Sequence, residues 1–354
     1  MKKLFGVLGI LLIGAIAYLL LWPVPIEPVA WQPPEAPELA GKYAPNTKLS
    51  KVEWLAKDVA TGPEDVAVDT EGRIYGAFDD GTIRRFAADG SQAEIFADTQ
   101  GRPLGLAWSP DGSLIIADAD KGLLAARTDG SLRKLADSAN GLDFGFADDV
   151  DVAADGTIYL SDASSKFGME HVMADIIEHG GNGRLIKYEP VADEASVLLD
   201  GLQFANGIAV GPDEAYVLVN ETGAYRITRY WLKGPKKGQS DVFFDNLPGL
   251  PDGVSFNGKD IFWVALYSPR SSDLDKMADK PWLRKLVYRL PESVQPKPVK
   301  HAFVLGINTN GEVVHNLQDN ADDAYAPITS IEQVGETLYF GSLLRAAIAR
   351  MPAP

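Results

Sequence analysis

The chain opens with an apolar run. After Met1, Lys2 and Lys3, residues 4–22 are uncharged and mostly apolar. As a helix, a stretch of this length rises about 28 Å, close to the hydrocarbon thickness of a bilayer. The two lysines favour a cytoplasmic N-terminus, which would leave the rest of the chain on the extracytoplasmic side. We therefore predict a transmembrane signal-anchor over residues 1–22.

The same run admits a second interpretation. The tripeptide Ala15-Ile16-Ala17 has the small-x-small form of a signal-peptide cleavage site. Residues 18–22 continue the apolar run past that point, which favours an uncleaved anchor. Residues 23–48 then contain seven prolines, a composition typical of an extended spacer between a membrane and a domain.

From residue 49 onward the pattern is that of β-structure. Short runs of Val, Ile, Leu and Tyr alternate with Asp-Gly, Pro-Asp and Asn-Gly turns, and no long stretch has helical periodicity. Residues 66–75 and 150–159 repeat one arrangement at the same spacing, a strand, an acidic turn with glycine, and a second strand. The body of the chain is therefore built from a repeated unit.

Six copies of this unit can be aligned. They begin at Gly62, Arg102, Phe146, Phe204, Leu250 and Pro327. A unit near 40 residues with several strands is typical of a propeller blade. The strand at residues 52–55 is expected to pair with the last copy and close the ring. We predict an all-β, six-bladed β-propeller over residues 49–354.

Net charge and cysteine content limit the partners and the chemistry that we expect for this chain. The net charge of −16 makes nucleic acid an unfavourable partner, because an acidic surface repels phosphates. The chain has no cysteine, which excludes disulfides and thiol chemistry. A small-molecule substrate and the membrane, reached through the N-terminal helix, are the partners that we expect.

The repeat alignment predicts a ring of equivalent residues around the propeller axis. Just before the inner strand of each blade stand Glu64, Leu104, Asp148, Asn206, Asp252 and Thr329. Three carboxylates and one amide in a narrow channel would repel and perturb one another unless a hard cation lay among them. No cysteine or histidine falls in the ring, so Ca²⁺ is favoured over zinc, with Glu64, Asp148, Asn206 and Asp252 as ligands. The alternative is that such residues only form turns, which suits Asp252 but not Glu64.

Several segments carry a family signature. They are residues 146–152 with 159–167, residues 220–235 with 247–253, and the shorter stretches 183–188 and 338–343. Together they resemble the strictosidine synthase-like family, which includes the adipocyte plasma membrane-associated protein family, over residues 60–345. The resemblance implies a six-bladed propeller related to paraoxonases and gluconolactonases, an N-terminal anchor, and an arylesterase-like activity.

The resemblance also implies roles for single residues. In hydrolase relatives, calcium is held at the positions that match Glu64, Asp148, Asn206 and Asp252. Asp148 departs from the family, where asparagine is usual, and its extra charge should bind the cation more tightly and reduce its Lewis acidity. The acid/base glutamate of the alkaloid-forming synthases falls at Thr329, which cannot exchange a proton near neutral pH.

We accordingly predict a calcium-dependent hydrolase of small esters or lactones. Asp252 or Asp149 would activate water or attack the substrate, and Leu104, Thr329 and His171 are the candidate channel or substrate residues. His171 and His179 lie in an insertion, residues 168–182, that could form a lid, although we expect each histidine of the chain to lie at the surface. The alternatives are a condensing enzyme with altered chemistry and a non-catalytic, membrane-anchored binding module.

Overall fold

The computed structural model describes residues 2–354. Helix α1 spans Lys2–Leu21, and its apolar side chains are exposed along its length. By length and composition the stretch Lys3–Leu21 could cross a bilayer, although a signal sequence would pass the same test. The first strand, β1, follows at Glu53–Leu55.

The body is a ring of six four-stranded antiparallel sheets, as the repeat predicted. The first blade contains β2 to β5, at Val66–Val68, Ile74–Ala77, Thr82–Phe86 and Glu94–Asp98. The second contains β6 to β9, at Pro103–Trp108, Leu114–Asp118, Gly122–Ala126 and Leu132–Ala136. A small hairpin follows, formed by β10 and β11 at Ser138–Ala139 and Leu142–Asp143.

Of the next three blades, the third and the fifth carry three further helices between their strands. The third blade contains β12 to β15, at Ala147–Val152, Ile158–Asp162, Gly183–Glu189 and Glu194–Leu202, with α2 at Val172–Glu178. The fourth contains β16 to β19, at Ala205–Val210, Tyr216–Glu221, Arg226–Trp231 and Ser240–Phe244. The fifth contains β20 to β23, at Gly249–Phe256, Ile261–Pro269, Ala302–Asn308 and Val313–Asp319, with α3 at Ser272–Met277 and α4 at Pro281–Tyr288.

The sixth blade joins the two ends of the propeller. Its strands β24 to β26, at Ile331–Val334, Thr337–Phe340 and Ile348–Pro352, are completed by β1. Glu53 pairs with Arg350 and Leu55 with Ile348, which confirms the predicted closure. Backbone pairing thus closes the ring in a chain that has no cysteine.

The two long insertions lie on one face of the propeller. Residues 163–182 and 270–301 each connect the second and third strands of a blade. Because the strands of each blade are antiparallel and the blades share one orientation, all such connections lie at the same end, opposite the Asp-Gly turns. We call these two insertions the cap. The short helices α3 and α4 were not predicted, because six to eight residues give too few turns for a periodic pattern.

The segment after α1 packs against the cap. Ile26 is fully buried with Phe167, Ala174 and Ile177, and the backbone N–H of Val29 donates to the carbonyl of Glu178 at 2.8 Å. Residues 23–48 therefore lack long regular elements but do not form a free spacer. We call residues 22–31 the strap.

Adjacent blades are joined by partly buried carboxylates and by a close approach at a glycine. Asp149 accepts a hydrogen bond from the N–H of Ile208 in the next blade at 2.8 Å, and Asp151 does the same with Val210 at 2.7 Å. A Cβ at Gly105 would lie 2.4 Å from Asp149 Oδ1, so only glycine allows this packing.

Candidate metal centre

The structure brings Glu64, Asp148, Asn206 and Asp252 to one cavity. All four are buried, and they line a space of about 660 Å³ at the cap end of the central channel. Leu104 lines the same cavity, whose outer walls come from the cap. Five of the six residues that the repeat alignment placed in one ring thus line one cavity, and the sixth, Thr329, does not.

β-Bulges aim most of the ring residues at the axis. The register of the inner strand shifts across Leu104, Asp148, Asn206 and Asp252 against the second strand of each blade. A bulge leaves its residue out of the regular pairing and turns its side chain. In three of these blades the next residue is a glycine, as in Asn206-Gly207, where an added Cβ would lie 2.4 Å from the backbone nitrogen of Val254.

The ring carboxylates have raised pKa values. Burial raises the pKa of Glu64 well above its usual range, and Asp252 and Asp148 raise it further. The pKa of Asp148 rises in the same way, first by burial and then by the charge of Asp252. Burial raises the pKa of Asp252 to about 7, against a hydrogen bond with Asn206 that lowers it. A cluster of this kind favours bound protons or a bound cation.

The donor set fits a hard cation. Asp148 Oδ2 is buried and has no hydrogen-bond partner among residues 2–354, a state that costs about 1–3 kcal/mol unless it is satisfied. Carboxylate and amide oxygens are the ligands that calcium prefers. Within the same residues, no group of three or more His, Cys, Asp or Glu side chains is arranged as a ready-made metal site. Shared coordination of one ion would therefore require the ring side chains to rearrange.

Residues from the fourth and sixth blades hold the ring backbone. Asn220 Nδ2 donates to the carbonyl oxygen of Asp252 at 2.6 Å, and Thr222 Oγ1 donates to that of Pro251 at 2.6 Å. Thr329 Oγ1 donates to the carbonyl oxygen of Glu64 at 2.7 Å. Thr329 is fully buried and does not line the cavity, so its hydroxyl positions Glu64.

Two residues near the ring were missed by the sequence analysis. Burial lowers the pKa of Arg102, although the charges of Glu64 and Asp148 raise it. Tyr267 lines the cavity, and its pKa is raised by burial and then by Asp252. Neither occupies a repeated ring position. Arg102 does stand two residues before Leu104, where its charge could have been noticed.

Asp149 faces a different cavity. This second space, of about 220 Å³, is also lined by Asp65, Asp151 and Glu332. Burial raises the pKa of Asp149 well above its usual range, against hydrogen bonds from the backbone of Ile208 and Val150. Asp149 is thus separated from the 660 Å³ cavity although it directly follows Asp148.

The histidines do not gather over the ring. His171 is exposed on the cap and does not line the cavity. The expectation that every histidine lies at the surface was wrong for His179, which is buried and stacks on Trp31 with ring centroids 4.0 Å apart. It was also wrong for His301, which is buried and whose Nε2 lies 2.9 Å from Gln318 Oε1.

The fold and the cavity define a six-bladed propeller with an axial, carboxylate-lined site. Residues 41–86 match the family described as Strictosidine synthase-like, N-terminal, and residues 148–235 match Strictosidine synthase. The adipocyte plasma membrane-associated protein of Rattus norvegicus is 32% identical over 97% of this chain and 96% of its own length. Strictosidine synthase-like 4 of Arabidopsis thaliana is 34% identical over 86% of this chain and 82% of its own length. The chain belongs to the strictosidine synthase-like family, which includes the adipocyte plasma membrane-associated proteins.

Solved structures share the fold at low sequence identity. A gluconolactonase of Xanthomonas campestris has a TM-score of 0.63 and 17% identity, over 94% of this chain and 99% of its own. Regucalcin of Agrobacterium tumefaciens, described as a calcium-binding protein, has a TM-score of 0.60 and 13% identity, over 84% and 92%. These similarities establish the architecture alone.

Proposed function

We propose that this protein is a calcium-dependent hydrolase of small esters or lactones, anchored by α1 with the propeller on the extracytoplasmic side. The observation that carries the proposal is the convergence of four oxygen-bearing side chains on the floor of one cavity, with Asp148 Oδ2 unsatisfied among the described residues. The similarity in fold to a gluconolactonase and to the calcium-binding protein regucalcin agrees with the proposed activity. The similarity to the adipocyte plasma membrane-associated proteins agrees with the proposed anchor.

Each part of the cavity has a role in this proposal. Glu64, Asp148, Asn206 and Asp252 would hold the ion, and calcium, when bound, would polarise the substrate carbonyl and stabilise the oxyanion. A cation bound beside Asp252 would favour its ionised form, and the Asp252 carboxylate would then accept the proton of an attacking water. The apolar walls limit access of other water to the reacting bond. Asp149, the other catalytic candidate, faces the second cavity and has a structural role between blades.

A synthase-like condensation is not favoured. The position of the acid/base glutamate is occupied by Thr329, whose hydroxyl is engaged by the carbonyl of Glu64. Glu332 is the nearest glutamate in sequence, and it lines the opposite cavity. No carboxylate of that blade therefore reaches the proposed site in the described part of the chain.

The test is hydrolysis of phenyl acetate by the full-length chain in detergent. We expect turnover that a calcium chelator abolishes, and a loss of about a hundredfold in Asp252→Ala, because one buried charge at the reacting centre is removed. The matched control is Asp200→Ala, which removes an exposed carboxylate and should leave the rate unchanged. Bound calcium without turnover of any aryl ester or lactone would instead support a binding module.

A further inference from the structure

The end of helix α1 is tied to the cap. Arg289, the C-cap residue that follows α4, donates from Nε to the carbonyl oxygen of Trp22 at 2.6 Å and from Nη1 to that of Leu19 at 3.1 Å. If α1 spans a bilayer, its last turn lies at the bilayer surface. These two hydrogen bonds therefore place α4 at that surface.

The strap extends this connection to the cavity wall. Ile26 packs in a cluster that includes Met173, and Met173 also lines the 660 Å³ cavity. Arg284 of α4 donates to the carbonyl oxygens of Val29 and Ile177, which joins the strap to α2. The wall of the cavity and the end of α1 are thus parts of one packed unit.

The second insertion differs in charge from the rest of the chain. Residues 270–300 contain eight basic and four acidic residues, a net charge of +4 in a chain of net charge −16. Lys297 is exposed beside the cavity, and Lys285 is partly exposed on α4. Basic residues next to a membrane helix attract anionic lipid headgroups.

Large apolar side chains are exposed on the same insertion. Trp282 on α4 is 63% exposed, Val294 is 62% exposed and Val299 is 60% exposed. Val299 also lines the cavity. Tryptophan and aliphatic side chains beside basic residues are typical of a surface that rests in the headgroup region of a bilayer.

The cavity itself is amphipathic. Its walls include Met169, Val172, Ile176 and Leu274 from the cap, whereas its floor is the carboxylate ring. A volume of about 660 Å³ lies within the range of small-molecule sites. An apolar chain could occupy the upper part while a polar group reached the ring.

We propose that the cavity takes its substrate from the membrane: residues 270–300 rest on the surface of the bilayer that holds α1, and the cavity admits the acyl chain of an amphiphilic ester. The substrate class rests on the hydrolase function proposed above, whereas the docking of the cap does not. Three observations favour an anionic lipid surface as the partner of residues 270–300: their positive net charge, their exposed apolar side chains and their hydrogen bonds to the end of α1.

The docking is tested with full-length chain in lipid nanodiscs of phosphatidylcholine and phosphatidylglycerol. The chain has no cysteine, so Trp282→Cys can be labelled with a single environment-sensitive dye. The control is Val191→Cys, which is fully exposed at the opposite face, in the turn between β14 and β15. A lipid that carries a nitroxide near its headgroup should quench the dye at position 282 at least about twofold more than at position 191. Adding Lys285→Glu should reduce that difference.

Equal quenching at both positions would overturn the docking. The substrate class is tested by comparing p-nitrophenyl octanoate with p-nitrophenyl acetate in nanodiscs. We expect kcat/KM to favour the octanoate by about tenfold, since its added chain would be buried against the cap. A preference for the acetate would refute the acyl-chain part. If neither ester is hydrolysed, the hydrolase proposal and the substrate class fail together, and the quenching still decides the docking.

Discussion

The burial of His179, which stacks on Trp31, makes stability depend on pH. Burial, followed by the charges of Arg284 and Arg226, lowers the pKa of His179 from 6.5 to about 3. Below pH 6.5 the unfolded chain therefore binds a proton that the folded chain does not bind. This contribution to the free energy of unfolding is fully present above pH 6.5 and is lost as the pH falls.

The size of the effect follows from the two pKa values. At about pH 5 the unfolded histidine is almost fully protonated and the folded one is neutral, which lowers the free energy of unfolding by about 2 kcal/mol relative to about pH 8. The perturbation that isolates this term is His179→Phe, which keeps an aromatic ring against Trp31 but cannot titrate. Its backbone strain at φ 53° is the same at both pH values and cancels.

The assay is urea unfolding of the full-length chain in detergent with chelator, at about pH 5 and about pH 8. We expect the wild-type chain to lose about 2 kcal/mol more than His179→Phe between the two conditions. The raised pKa values of Asp65, Asp151 and Asp252 change stability in the opposite direction, but they are common to both proteins. An identical pH dependence in the two proteins would refute the reasoning.

Three further predictions concern the ring, the packing between adjacent blades, and the cap. Asp252→Asn should raise Tm in the presence of chelator at about pH 8, because the substitution removes a buried charge. The same substitution should reduce the increase in Tm that added calcium causes. A lower Tm than that of the wild type in chelator would contradict this prediction. Gly105→Ala should cost about 1–3 kcal/mol in urea unfolding, because its Cβ would meet Asp149, whereas Gly112→Ala, with open space around it, should show only the strain of its positive φ. Arg284→Leu should cost about 3 kcal/mol and expose the strap to proteolysis, since several buried carbonyls lose their donor; unchanged proteolysis would contradict it.

The fold was predictable because the repeat is encoded locally. Each blade carries its own strand, acidic turn and strand, so six copies could be aligned without knowledge of their packing. The closure by residues 53–55 was predictable for a similar reason, since a strand outside the six copies needs a partner in a closed ring. The ring emerged from the same alignment, because equivalent residues of radial blades meet at the axis.

Other features depend on contacts that are distant in sequence. Asp148 and Asp149 are neighbours, yet they face separate cavities because side chains alternate along a strand and a bulge intervenes. This alternation could have been applied to the sequence. The burial of Ile26 and His179 could not have been predicted from the sequence, because it depends on a contact between the strap and the cap. These two segments are about 150 residues apart in the chain, as the hydrogen bond from the Glu27 N–H to the Glu178 carboxylate illustrates.

The central claim is that the ring binds calcium. The most direct measurement is equilibrium dialysis of the full-length chain, stripped with chelator, against radioactive calcium at near-neutral pH. We predict one bound calcium ion per chain in the wild type, a much weaker site in Glu64→Gln and Asp148→Ala, and unchanged binding in Asp200→Ala. Absence of bound calcium in the wild type, or equal binding in the ring variants, would contradict the account.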